Sequence, residues 1–130
     1  MPRNEELTNS QLADFAERMK IRNFRGVFAR DRLPNAPNAD ECGIVNLDDS
    51  TGPGTHWVAY YKKRGRTTVY FDSFGRAPPR ELTTYLGPAV HDTVGVQSQD
   101  EIVCGQYCLF FLHHMNEGGY FPDVLDRCRR

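Results

Sequence analysis

Residues 56–72 read HWVAYYKKRGRTTVYFD, and this stretch decides the fold. Its two halves, 56–62 and 67–72, are rich in the aromatic and β-branched residues that favour strands. A charged, glycine-containing turn separates them, so the pattern predicts a β-hairpin. Neighbouring strands in a sheet lie ~4.8 Å apart. Because His56 begins one strand and Asp72 ends its antiparallel partner, the two side chains are expected at the same end of the hairpin.

Weaker patterns place further elements around this hairpin. Short apolar runs over 43–47 and 90–96 predict two more strands. Capping residues, helical spacing of apolar residues and one almost wholly apolar stretch predict helices. The predicted helices cover 9–19, 80–86, 104–115 and 121–128. Helices segregated from a small, mostly antiparallel sheet define an α+β fold, in which the helix over 104–115 is buried at the centre.

The composition is that of one ordinary globular domain. The 130 residues are 39% hydrophobic and 25% charged, which suffices for a single core. The formal net charge of -1 gives no sign of nucleic-acid binding. There is no apolar run long enough to span a membrane, and the polar start lacks the apolar core of a signal peptide. We therefore expect a single domain over 1–130 that is intracellular, monomeric and not associated with membranes.

Cys104 is the first candidate for chemistry, because it stands at the predicted start of the buried helix. The N-terminus of a helix carries partial positive charge and free backbone N–H groups, which favour a thiolate over a thiol. Gly105 follows, so no side chain crowds the sulfur. The alternative is a buried core cysteine, which is common in globular proteins.

His56 and Asp72 are the candidate partners of that thiol. If Asp72 accepts a hydrogen bond from one ring nitrogen of His56, the other ring nitrogen is left to face the sulfur. This is the arrangement of nucleophile, base and orienting acid that activates a nucleophile. The alternative makes His56 an ordinary surface or core residue and Asp72 the first residue of a turn before Ser73 and Gly75.

A peptide carbonyl attacked by a thiolate becomes an oxyanion, which needs preorganised donors. The backbone N–H of Cys104 at the helix start is one candidate donor. Gln97, seven positions earlier, offers a side-chain amide as a second, and Gln99 is as well placed by spacing alone.

A zinc site is the main alternative use of these side chains. Cys104, Cys108, His113 and His114 lie close in sequence and have the ligand types that zinc prefers. However, the two histidines are adjacent, so they point in different directions on a helix. We therefore predict no metal and no cofactor, and we expect Cys108 to be a core residue. An inactive peptide-binding module is a further alternative.

In the order His56, Asp72, Gln97 and Cys104, these residues resemble those of the adenovirus-type cysteine proteases (adenain). They resemble more distantly the ubiquitin-like-protein proteases of the same clan. The similar segments are NFRGVFARDRLP (23–34), CGIVN (42–46), GTHWVA (54–59), FDSFG (71–75), VQ (96–97), VCGQYC (103–108) and FFLH (110–113). The resemblance covers about residues 21–115, and alignment at the Cys-Gly pair assigns the role of the family's glutamine to Gln97.

The resemblance implies a compact version of the adenain-like fold and a cysteine endopeptidase. It makes Cys104 the nucleophile, and it implies cleavage after small residues such as Gly. Trp57 and Gly105 are the predicted substrate-binding residues, Trp57 because the family's groove beside this tryptophan is narrow. The implied role is maturation of viral capsid or core precursors, in the host nucleus or cytoplasm or in the virion. Removal of ubiquitin or SUMO from conjugates is the alternative.

The partners that activate adenain have no support in this sequence. Adenain is stimulated by a disulfide-linked peptide and by DNA. This chain has no cysteine between Tyr85 and Gln97, where that peptide would attach, and its net charge is close to zero. We therefore expect a protein or peptide substrate as the partner, without an activator that the sequence supports.

Overall fold

The computed structural model describes residues 7–48, 56–96 and 104–129. These residues form one five-stranded sheet and four helices. The helices are α1 (Asn9–Arg18), α2 (Arg80–Leu86), α3 (Cys104–Asn116) and α4 (Phe121–Cys128). The strands are β1 (Phe24–Ala29), β2 (Glu41–Asn46), β3 (Trp57–Lys62), β4 (Val69–Phe71) and β5 (Val90–His91). The predicted α+β fold is confirmed.

The sheet follows the order of the chain, from β1 to β5. The predicted hairpin is present, since β3 and β4 pair in antiparallel register with Tyr60 opposite Tyr70. Strand β2 also pairs with β3 in antiparallel fashion, whereas β1 runs parallel to β2 and β5 parallel to β4. The sheet is therefore mixed: its centre is antiparallel, as predicted, and its two edges are parallel.

The two edge strands are where the sequence pattern was least informative. Strand β1 is half-buried at every position, so it lacks the alternation that marks a strand, and it was not predicted. Strand β5 covers two residues instead of the predicted 90–96. It ends early because the Asp92 carboxylate accepts a hydrogen bond of 2.9 Å from the Gly95 N–H and turns the chain.

Strand β3 is buried on both faces, because helices cover both sides of the sheet. Trp57, Ala59 and Tyr61 belong to the core formed with α1, α3 and α4. Val58 and Tyr60 belong to a second core formed with α2. The alternation of strand side chains thus divides one segment between two cores.

Helix α3 is the buried helix that the sequence predicts, and it packs against β3 and β4. Phe111 stacks on Phe71 with ring centres 4.8 Å apart, and Leu109 and Leu112 are fully buried. Burying one such side chain contributes about 1.5–3 kcal/mol. This packing fixes the first residue of α3, Cys104, against the start of β3. Within the described residues, no helix has both the length and the apolar content needed to cross a bilayer.

Candidate active site

The open end of the β3–β4 hairpin brings His56 and Asp72 together. His56 directly precedes β3 and Asp72 directly follows β4. The Nε2 atom of His56 lies 2.9 Å from Oδ1 of Asp72. The side chain of His56 is 13% exposed and that of Asp72 is fully buried, so this hydrogen bond is shielded from water.

Asp72 also begins the turn that follows β4. Its Oδ1 accepts a second hydrogen bond, of 2.8 Å, from the Phe74 N–H, and its carbonyl accepts one of 2.8 Å from the Gly75 N–H. Asp72 therefore both begins this turn and accepts a hydrogen bond from His56, while its role as the orienting acid of a nucleophile stays a prediction. The turn fixes the carboxylate, and the carboxylate in turn fixes His56.

The sulfur of Cys104 lies at the start of β3 as well. Cys104 is the first residue of α3 and is 4% exposed. The backbone N–H of Trp57 donates a hydrogen bond of 3.4 Å to its sulfur. Because Trp57 follows His56 in sequence, one strand start places both an imidazole and an N–H donor at the thiol. The sequence carries no signal for this donor, since every residue except proline has the same N–H group.

The protonation of His56 reflects both of its neighbours. Burial lowers its pKa, but hydrogen bonds with Asp72 and with Cys104, and the charges on both, outweigh burial and raise it to about 9. Since Nε2 is engaged by Asp72, Nδ1 is the nitrogen left for Cys104. His56 is therefore positively charged at neutral pH, and an imidazolium beside a sulfur stabilises the thiolate form.

Trp57 and Gly105, the predicted substrate-binding residues, are both buried beside this site. Trp57 is 2% exposed. A Cβ atom on Gly105 would lie 3.0 Å from Leu12 Cδ2 and 3.5 Å from Trp57 Cδ1. The missing side chain of Gly105 thus allows α1 and β3 to approach the start of α3. A direct contact of either residue with substrate stays a prediction.

Gln97 and Gln99 lie outside the described residues, so their predicted roles as oxyanion donors stay predictions. The described residues on either side of them can be placed. The Val96 N–H donates a hydrogen bond of 2.7 Å to the carbonyl of Ser73, beside Asp72. The described residues nearest to them on each side, Val96 and Cys104, therefore both lie beside the site.

The other cysteines are core residues. Burial raises the pKa of Cys108 well above its ordinary value, that of Cys42 to about 12 and that of Cys128 to about 11. The predicted core position of Cys108 is confirmed, since it is fully buried. Within the described ranges, no group of three or more His, Cys, Asp or Glu side chains is arranged to hold a metal ion.

The known proteins to which this chain is similar are viral cysteine proteases. No family model matches the chain. The Cysteine protease S273R of African swine fever virus (isolate Tick/Malawi/Lil 20-1/1983) is 32% identical over 85 residues, which cover 53% of this chain and 31% of that protein. The corresponding protein of isolate Tick/South Africa/Pretoriuskop Pr4/1996, named SUMO-1 cysteine protease S273R, matches with the same identity and coverage. The chain spans about a third of the length of these curated relatives.

The fold matches a solved structure of the same kind. The crystal structure of the African swine fever virus pS273R protease superimposes with a TM-score of 0.57 at 21% identity, over 99% of this chain and 67% of that one. The chain therefore has the fold of a viral cysteine protease. The predicted resemblance to the adenovirus-type cysteine proteases and their clan is confirmed by these relatives, which are viral cysteine proteases by name.

Proposed function

We propose that the chain is a cysteine protease in which Cys104 is the nucleophile, His56 the general base and acid, and Asp72 the residue that orients His56. The observation that carries this proposal is the continuous series of contacts at the end of the hairpin. Asp72 binds His56 at 2.9 Å, and His56 meets a sulfur that also receives the Trp57 N–H at 3.4 Å. The viral cysteine proteases among its relatives support the same class of reaction.

The reaction begins with the thiolate of Cys104. Its sulfur forms a bond to the carbonyl carbon of the substrate, and the C–N bond breaks as the leaving nitrogen takes a proton from His56. Water then loses a proton to His56 and adds to the thioester. The C–S bond breaks, which releases the acid product and restores the thiolate–imidazolium pair.

The oxyanion formed in both steps needs donors at the start of α3. The backbone N–H of Cys104 is one, because the first N–H groups of a helix have no partner within the helix. The side-chain amide of Gln97 is the second donor in our proposal, as the resemblance implies. Trp57 and Gly105 are both buried, so in our proposal they act on the substrate through the packing that shapes the surroundings of the nucleophile.

The substrate is a protein or peptide that presents a small residue, of the Gly type, before the cleaved bond. The main candidate function is an endopeptidase that processes viral capsid or core precursor proteins, in the host nucleus or cytoplasm or in the virion. Removal of SUMO from conjugates is the second candidate. The name of one relative, SUMO-1 cysteine protease, favours it.

Cleavage profiling tests this function and separates its two forms. The chain is incubated with a peptide library, with an intact SUMO-1 conjugate and with a ubiquitin conjugate, and the products are identified by mass spectrometry. The main function predicts cleavage of peptides after Gly and little cleavage of either conjugate. Cleavage of the SUMO-1 conjugate alone would establish the second function in its place.

A matched pair of cysteine variants controls for other thiols. Cys104→Ala is expected to abolish all cleavage, whereas Cys128→Ala, at a buried cysteine outside the site, is expected to retain it. Cleavage by Cys104→Ala at the wild-type rate, or no cleavage of any substrate by a folded wild-type chain, would overturn the proposed function.

A further inference from the structure

Phe74 contacts both partners of the proposed nucleophile. Its ring stacks on the imidazole of His56, with ring centres 4.7 Å apart and planes 18° from parallel. Its backbone N–H donates a hydrogen bond of 2.8 Å to Oδ1 of Asp72, the same oxygen that lies 2.9 Å from His56 Nε2. Phe74, Asp72 and His56 therefore form a closed ring of contacts.

The turn after β4 brings the two rings together. The paired register of β3 and β4 ends before His56 and Phe74 are reached. Phe74 lies in the turn that is closed by the hydrogen bond from the Gly75 N–H to the Asp72 carbonyl, and this turn places its ring on the imidazole. The stack is thus a consequence of the same turn that holds the Asp72 carboxylate.

The backbone of Phe74 is held between two glycines. Gly75 and Gly95 have φ angles of 76° and 87°, in the left-handed region that side chains disfavour. A Cβ on Gly75 would lie 2.5 Å from the Gly95 nitrogen, and a Cβ on Gly95 would lie 2.8 Å from the carbonyl of Phe74. This close backbone approach, together with the bond from the Val96 N–H to the Ser73 carbonyl, leaves Phe74 little room to shift.

The outer side of Phe74 is occupied as well. Phe74 is half-buried, and the guanidinium carbon of the exposed Arg76 lies 5.0 Å from the centre of its ring. A cation near an aromatic face is attracted by the ring. The imidazole of His56, whose pKa is raised to about 9, stacks on the same ring.

A single hydrogen bond to the Asp72 carboxylate fixes one atom of the imidazole but leaves the ring free to tilt about it. A parallel aromatic ring fixes the plane, and hence the direction in which the second nitrogen points. We infer that Phe74 is a positioning residue, whose ring sets the plane of His56 and whose N–H holds Asp72, so that Nδ1 faces Cys104. This inference rests on the proposed function and adds to it a residue that acts through the base.

Steady-state kinetics on a Gly-containing peptide substrate test this role. Phe74→Leu removes the planar ring and is expected to lower kcat about tenfold with little change in KM, the size of an aromatic pair interaction lost in the transition state. Phe74→Tyr keeps the ring and is expected to restore most of kcat. If Phe74→Leu does not fold, Phe74→Met takes its place with the same expected loss.

Phe110→Leu is the matched control. Phe110 also has its ring next to a histidine, His114, at 4.3 Å between ring centres, but it lies on the exposed side of α3. Its substitution is expected to leave kcat unchanged. An equal loss of kcat in Phe110→Leu and Phe74→Leu, or a wild-type kcat in Phe74→Leu, would overturn the inference.

NMR of the histidine ring protons provides a readout that needs no turnover. The signal of the His56 ring protons is assigned by its loss in His56→Gln. Because these protons lie over the face of the Phe74 ring, their signal is expected to move downfield in Phe74→Leu but not in Phe74→Tyr. An unmoved signal contradicts the stack. If wild type shows no turnover that depends on Cys104 while this signal does move, the proposed function fails and the positioning contact stands.

Discussion

The described residues bury two carboxylates, Glu41 at 1% and Asp72 at 2% exposure, and they treat them differently. Glu41 receives four donors, two on each oxygen. They are Arg25 Nη1 at 2.9 Å and the Asn38 N–H at 2.6 Å on Oε1, and the hydroxyls of Tyr60 at 2.5 Å and Tyr85 at 2.7 Å on Oε2. Asp72 receives two donors, both on Oδ1, and among the described residues its Oδ2 has no partner.

The difference separates a carboxylate that stabilises the fold from the one that, in our proposal, orients His56. Burial raises the pKa of Glu41, but the hydrogen bonds from Tyr60, Asn38, Arg25 and Tyr85 outweigh burial and bring it below its ordinary value. Glu41 thereby stays ionised and joins β1, β2, β3 and α2. Asp72 instead has a histidine as its side-chain donor, and that histidine contacts a thiol.

The largest effect, a loss of turnover, is expected from substitutions of the proposed catalytic residues. Cys104→Ala removes the nucleophile and is expected to abolish turnover. His56→Ala is expected to lower kcat by about 10²–10⁴-fold, the usual contribution of a positioned acid–base group. Peptide hydrolysis measures both, with circular dichroism to show that the variants fold. Full activity in either variant contradicts the assignment.

Substitution of the structural carboxylate, Glu41, is expected to reduce stability instead of turnover. Glu41→Gln leaves Arg25 and two tyrosines without their anion and is expected to lower the free energy of unfolding by about 3 kcal/mol. Urea denaturation measures this. The control is Glu81→Gln, whose carboxylate is 41% exposed and pairs with Arg30 at 3.6 Å, and where a change below about 1 kcal/mol is expected. Equal losses of unfolding free energy in the two variants would show that the buried Glu41 stabilises the fold no more than an exposed ion pair does.

Asp72→Asn sharpens the contrast, because asparagine can still accept from the Phe74 N–H and keep the turn while it loses the charge. Its kcat is expected to fall about 10-fold to 100-fold, since the base is less well oriented. Its free energy of unfolding is expected to change less than that of Glu41→Gln. The opposite result, a large loss of stability with unchanged kcat, would make Asp72 a structural residue only.

The two networks are also expected to respond to pH in opposite directions. The pKa of His56 is raised to about 9, so its stabilising contribution is present below its ordinary pKa of 6.5 and is lost as the pH rises through about 9. The pKa of Glu41 is lowered, so its contribution is present above the ordinary value of 4.5 and is lost as the pH falls through its lower native pKa.

Urea denaturation of wild type, His56→Ala and Glu41→Gln across this pH range measures both contributions. The stability difference between wild type and His56→Ala is expected to shrink as the pH rises from 6.5 to 9. The difference between wild type and Glu41→Gln is expected to shrink only at acid pH. A difference for His56→Ala that grows with pH would contradict the contact between His56 and Asp72.

The sequence predicts those parts of the structure that are decided by interactions between residues close together in the chain. The hairpin and α3 were predictable because their patterns are strong, and the pairing of His56 with Asp72 follows from the hairpin alone. Strand β1 was not predictable, because all of its residues are half-buried and its sequence shows no alternation of buried and exposed positions. Its parallel pairing with β2 has no pattern in its own residues. The same limit hides Glu41, whose four donors come from separate parts of the chain. It also hides the Trp57 N–H, which has no side-chain signature.

The most direct test of the account is labelling of the thiol by an electrophilic peptide that ends in Gly. The rate is followed by intact mass in wild type, Asp72→Asn and Glu41→Gln at equal concentrations of folded protein. We expect one label, at Cys104, that forms quickly in wild type and in Glu41→Gln and slowly in Asp72→Asn. An unreactive Cys104 in folded wild type, or equal slowing by the two carboxylate variants, would contradict it.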